Sequence, residues 1–152
     1  MSKKYIHYGS DKFDINKFNS IKNRSFIKPE GGLWSSPVNA PNYSWYDWCL
    51  DNDFYTEQLK KSFIFTIKPT SKIITIDTND KRKAFTNNKD LYYSDRSGVF
   101  ENINFQHLVE LGYDGLEIFI FSEEVYFSFY GWDVDSLLVF NPDIIIPIEE
   151  TT

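Results

Sequence analysis

Four consecutive apolar residues, Leu137-Leu138-Val139-Phe140, constrain this chain more than any other stretch. An unbroken run of that length suits a strand buried on both faces, so the rest of the chain must supply cover for two sides of one sheet. Asp133 and Asp135 stand immediately before the run. A carboxylate is costly to desolvate unless something pairs with it, so the two acids predict that the core opens there onto a cleft, with Asp135 as one wall and Asp133 behind it. After the run, Asn141-Pro142-Asp143 reads as a turn, and a second apolar strand over 144–148 follows.

The chain has 152 residues and 41% hydrophobic content, enough for one core and one domain spanning 1–152. Aromatic residues make up 18%, more than a core of this size needs. The surplus, which includes Trp34, Trp45, Trp48 and Trp132, has to line a pocket or an interface. All 16 Lys and Arg lie in residues 1–100, whereas half of the 22 acids lie in 101–152, and the net charge is −6. Such an acidic end repels nucleic acid, so no nucleic-acid partner is expected. The basic N-terminal stretch can meet an anion, although a solvated loop surface is the simpler reading. One cysteine, Cys49, excludes an intrachain disulfide. No apolar run approaches the ~18 residues of a spanning helix, and the start carries no apolar signal region. The expectation is a soluble, cytoplasmic protein with no membrane partner.

Local patterns place strands at 4–8, 33–36, 62–67, 72–76, 116–121 and 125–129, besides the two already named. His7 falls near the end of the first, before the turn at Gly9-Ser10. Residues 11–23 read as a loop or irregular short helix, and Lys28-Pro29-Glu30-Gly31-Gly32 as a turn cluster. A helix is predicted over 44–50, with Ser44 as N-cap and Trp45, Trp48 and Cys49 on one face, and another turn or two over 54–61. Residues 77–101 are polar and aperiodic, which predicts a short helix or a mobile functional loop carrying Tyr92 and Tyr93. Asn104 caps a short helix through Leu111, with Phe105, Leu108 and Val109 inward and Gly112 as its C′ residue. The sum is a mixed α+β domain without internal repeats. Two histidines and one cysteine at no close spacing make a zinc site improbable, and no metal is expected. Phosphate-loop, Rossmann and hydrolase-elbow motifs are absent from the sequence.

Four segments in order, His7-Tyr8-Gly9-Ser10, Gly31-Gly32-Leu33-Trp34-Ser35-Ser36, Gly112-Tyr113-Asp114-Gly115-Leu116 and Phe140-Asn141-Pro142, resemble the ADP-ribosyltransferase-like fold. The resemblance implies split antiparallel β-sheets with short flanking helices, NAD as cofactor, and transfer of ADP-ribose to a macromolecular acceptor, most simply a protein. In the His-Tyr-Glu group of that family, a first-strand histidine holds the nicotinamide ribose. A second-strand tyrosine stacks on the nicotinamide, and an acid near the late strand stabilises the oxocarbenium ion. Residue by residue, His7 matches the histidine and Gly9 and Ser10 the small residues behind it. Trp34, followed by Ser35 and Ser36, stands where the tyrosine is usual. Asp135, with Asp133, is the closest match to the acid, while counting back from Phe140-Asn141-Pro142 lands on Ser136. Gly9, Ser10, Arg24 and Lys28 are the candidates for the pyrophosphate. The alternative is a non-catalytic member of the fold that binds a nucleotide or a protein without turnover. By analogy of fold, either suits an intracellular effector, such as a toxin or a phage-related modifier or inhibitor.

Overall fold

A computed structural model describes residues 3–24, 28–94 and 101–148. Its frame is a seven-stranded sheet built from β1 (Tyr5–Tyr8), β2 (Leu33–Pro37), β3 (Ser62–Ile67), β4 (Ile73–Ile76), β7 (Gly115–Ile118), β8 (Ser136–Val139) and β9 (Ile145–Ile148). The strand order is β4-β7-β8-β2-β1-β3-β9. A two-stranded hairpin, β5 (Tyr92–Ser94) with β6 (Glu101–Ile103), stands apart. Four short helices flank the strands: α1 (Trp45–Asp51), α2 (Asn79–Thr86), α3 (Phe105–Glu110) and α4 (Glu123–Ser128). Pairing in the large sheet is antiparallel except for β4 with β7, which run parallel. That edge departs from the all-antiparallel expectation, and α2, the hairpin and α3 form the crossover that a parallel pair requires.

All four residues of β8 are buried, as the apolar run requires. Leu137 and Val139 pack with Tyr5, Phe63, Phe65 and Ile145 on one face. Leu138 packs on the other with Ile118, Leu108, Phe129 and Trp132. Strand alternation thus splits one run between two cores.

The sheet is held together at β2, whose two ends have different partners. Leu33, Trp34 and Ser35 pair with Val139, Leu138 and Leu137 of β8, whereas Ser36 and Pro37 pair with Ile6 and Tyr5 of β1. Beyond Ile6, β1 leaves β2 but stays on β3, with His7 opposite Phe63 and Tyr8 opposite Ser62. The sheet forks at this point. A buried carboxylate ties the two arms on the far side, where Glu117 of β7 accepts the Tyr5 hydroxyl at 2.7 Å and the Lys3 ammonium at 3.4 Å.

Two local expectations are corrected. Residues 125–128 are helical rather than extended, with Phe129 as the C-cap: Ser122 caps α4 by accepting from the Val125 N–H, and Glu123 and Glu124 complement its positive end. Val125 and Phe129, four apart, are the buried pair, so the apolar alternation in this stretch had concealed a helical period. Val109 is exposed, and the inner face of α3 is Phe105 and Leu108 alone. The short helix that was one alternative for 77–101 is α2; the stretch also holds β5, with Tyr92 buried and Tyr93 exposed, while 95–100 lie outside the described residues. Among the described residues no helix is long and apolar enough to cross a membrane.

Candidate functional site

The fork opens a cleft of about 300 Å³. Its floor comes from the separating strands, His7, Tyr8 and Gly9 on one side and Trp34, Ser35 and Ser36 on the other. Gly131, Trp132, Asp133 and Val134, from the segment between α4 and β8, form the far wall, which ends at Ser136. Trp45, Tyr55 and Gln58 close the near side, and Lys28 reaches in from the loop before β2.

His7 bridges the fork. Its Nδ1 lies 2.6 Å from the Trp34 carbonyl oxygen, which can only accept, so Nδ1 carries the proton and Nε2 is the free acceptor of a neutral ring. Burial pushes the imidazole pKa below its ordinary 6.5, outweighing the carbonyl bond that favours the cation. Phe63 supports the ring from β3 at 5.2 Å. On the opposite strand Trp34 meets Trp132 edge-on at 4.7 Å, and the Lys28 ammonium stands 6.0 Å from the Trp34 ring. Trp45 stacks on Trp48 at 5.1 Å with planes 8° apart, leaving the cleft bounded by aromatic faces from three elements.

The structure separates the two acids. Asp133 lines the cleft. Asp135 is fully buried, is not among the lining residues, and its carboxylate is saturated. It accepts from Ile120 N–H at 2.7 Å, Asn42 N–H at 2.8 Å, Asn42 Nδ2 at 3.2 Å and Tyr43 N–H at 3.4 Å. Asp135 therefore ties the entry of α1 and the exit of β7 to the start of β8. The strand alternation that buries Asp135 turns Ser136 toward the cleft, where its hydroxyl donates to the Val134 carbonyl at 2.9 Å.

Among the remaining sequence candidates, Gly9, Ser35 and Ser36 lie at the cleft. Gly9 sits at φ +113°, where a side chain is strained, and its N–H is used by the Lys61 carbonyl. The Ser35 hydroxyl donates to the Leu137 carbonyl, which fixes β2 against β8 and leaves no free proton for a ligand. Ser10 and Arg24 lie outside the lining: Ser10 bonds the Lys12 carbonyl, and Arg24 pairs with Glu30 at 3.8 Å. Trp45 and Trp132 entered the sequence reading only as part of the aromatic surplus, and both line the cleft, whereas Tyr55 and Gln58 were not singled out. Trp45 had the apolar phase of a packing residue, and Tyr55 and Gln58 come from an irregular turn with no periodic signal. Among the described residues no group of three or more His, Cys, Asp or Glu side chains is placed to hold a metal ion.

The site combines aromatic walls, one neutral imidazole acceptor, one carboxylate and one ammonium. Such a set can stack a planar ring, accept a hydrogen bond at the imidazole and offer one charge of each sign. Comparison of the chain with protein-family models, with curated proteins and with solved structures gives no match.

Proposed function

We propose that this protein is an ADP-ribosyltransferase-like domain that holds the nicotinamide-ribose end of NAD in the cleft and transfers ADP-ribose to a macromolecule. The observation that carries the reading is the forked sheet, which brings His7 of β1 and Trp34 of β2 to one slot as the motif resemblance requires. A volume of about 300 Å³ is at the low end of the ~300–1,000 Å³ usual for small-molecule sites. It suits half a dinucleotide, with the adenosine half running outward past Gly9. Nicotinamide stacks against Trp34 and Trp45, His7 Nε2 accepts from a ribose hydroxyl, and Lys28 meets the pyrophosphate.

In the reaction the bond from ribose C1′ to the pyridinium nitrogen breaks. Its electron pair leaves with nicotinamide, which becomes neutral. The acceptor atom donates a pair to C1′ and releases its proton to solvent. Positive charge develops on the sugar, so the catalytic contribution is a nearby carboxylate acting electrostatically. Asp133 takes that role, because Asp135 is committed to four donors.

The saturation of Asp135 favours a second reading, a module of the same fold that binds NAD or a nucleotide without turnover. The two are separated by free nicotinamide release from NAD, with wild type beside Asp133→Asn, and by the NAD-induced rise in Tm. Release by wild type and loss in Asp133→Asn supports transfer. A Tm rise without release supports the binding module, and neither effect removes NAD from the cleft.

A further inference from the structure

The outer face of α1 and the turn after it carry a surface that extends beyond the cleft. Tyr46, Leu50, Phe54 and Tyr55 are 42%, 51%, 45% and 54% exposed, an unusual set of large apolar groups on one short segment. They are a braced array: Phe54 stands edge-on to both Trp45 and Trp48, at 6.3 and 5.6 Å, and meets Tyr55 at 4.6 Å. Asp47, Asp51 and Asp53 are interleaved with these residues; Asp47 accepts from the Ser44 hydroxyl and Asp51 from the Tyr43 hydroxyl, but among the described residues none of the three forms an ion pair. The sequence holds no Lys, Arg or His from 29 to 59.

The backbone fixes how the patch is displayed. The helix ends in a Schellman turn, with Phe54 N–H on the Cys49 carbonyl at 2.9 Å and Asp53 N–H on Leu50 at 3.3 Å. Its C′ residue, Asp53, sits at φ +48°, where glycine is favoured, and Tyr55 follows at φ +56°. Two non-glycine residues thus accept left-handed strain, and the outcome is a carboxylate and a tyrosine displayed on the aromatic face.

From these contacts we infer that this face docks a cationic segment of a partner protein, one in which arginine alternates with apolar side chains. Guanidinium planes stack on exposed aromatic rings and pair with carboxylates, and Phe54 and Tyr55 with Asp51 and Asp53 offer both within one patch. The patch is continuous with the cleft, because Trp45 and Tyr55 belong to both. Resting on the transferase reading, the docked segment is the macromolecule that receives ADP-ribose; the surface itself is independent of that reading.

The test uses the full chain without NAD and a short fluorescein-labelled amidated peptide alternating arginine with leucine. Anisotropy titrations compare wild type, Asp51→Asn/Asp53→Asn, Phe54→Ser, and Asp80→Asn/Asp90→Asn as a control with equal charge change on another surface. Asparagine tolerates the left-handed backbone, so the first double variant keeps the turn, and the Tm of each variant checks folding. The expected result is at least about fivefold weaker binding for Asp51→Asn/Asp53→Asn and about tenfold for Phe54→Ser, with the control within about twofold of wild type. Equal weakening by both double variants would mean general attraction to an acidic chain and overturns the proposal. Sedimentation showing a wild-type dimer that Asp51→Asn/Asp53→Asn dissociates would assign the face to a second copy, and also overturns it. Because NAD is absent, peptide binding stands or falls separately from nicotinamide release.

Discussion

Replacing Asp135 by alanine distinguishes a structural carboxylate from a catalytic one. The side chain is wholly buried and accepts four hydrogen bonds, three from backbone N–H groups and one from the Asn42 amide. Each buried donor left without a partner costs about 1–3 kcal/mol. The two short bonds, from Ile120 at 2.7 Å and Asn42 at 2.8 Å, carry most of the effect. Asn42 is exposed, so water takes over part of its loss. The expected destabilisation is about 3–4 kcal/mol, a large share of the ~5–15 kcal/mol that holds a domain together. Asp133→Ala, at a half-exposed cleft residue whose carboxylate accepts no hydrogen bond from the described residues, should change stability by less than about 0.5 kcal/mol. Urea unfolding followed by tryptophan fluorescence reads both, since Trp132 is buried beside the cleft. A loss below about 1 kcal/mol for Asp135→Ala would mean that its donors are not held, and would return Asp135 to the list of acids free to act on a substrate.

Asp53→Gly should stabilise the protein by about 0.5–1 kcal/mol in the same assay, because glycine relieves the left-handed C′ position of α1. Tyr5→Phe removes the 2.7 Å bond to buried Glu117 and should cost about 1–3 kcal/mol in the urea midpoint. The His7 pKa is lowered by burial, so its contribution to stability is complete above the unfolded value of 6.5. It is lost as pH falls from 6.5 toward the lower folded value, where the loss levels off. Unfolding curves for wild type and His7→Gln across that window should therefore diverge at neutral pH and converge on acidification. Trp34→Ala should abolish any NAD-induced rise in Tm while Asp133→Asn retains it, a contrast read by thermal melts with and without NAD.

Much of the frame was legible because it rests on local chemistry. Ser44 and Asn104 accept from the N–H groups of Asp47 and His107, as their positions before α1 and α3 predicted, and Gly112 takes its positive φ after α3. The run at 137–140 announced a strand covered on both sides, and β8 has both cores against it. Where two periods fit the same letters, local pattern was insufficient. In 122–130 the capping chemistry of Ser122 and the burial of Val125 with Phe129 decided for a helix.

The candidate site divides along the same line. The sequence by itself determined that aromatic residues exceed what a core of this size absorbs, and that acids stand where a buried strand begins. It also placed His7 and Trp34 in early strands. Only the tertiary structure decided which acid faces solvent, because alternation along one strand cannot say which face of the sheet another element covers. The turn at 42–43 and the end of β7 converge on Asp135 and consume its lone pairs, leaving Asp133 at the cleft. The fork likewise exists only in three dimensions, since it arises from β2 pairing at one end with β8, about a hundred positions away in the chain, and at the other with β1, about thirty away.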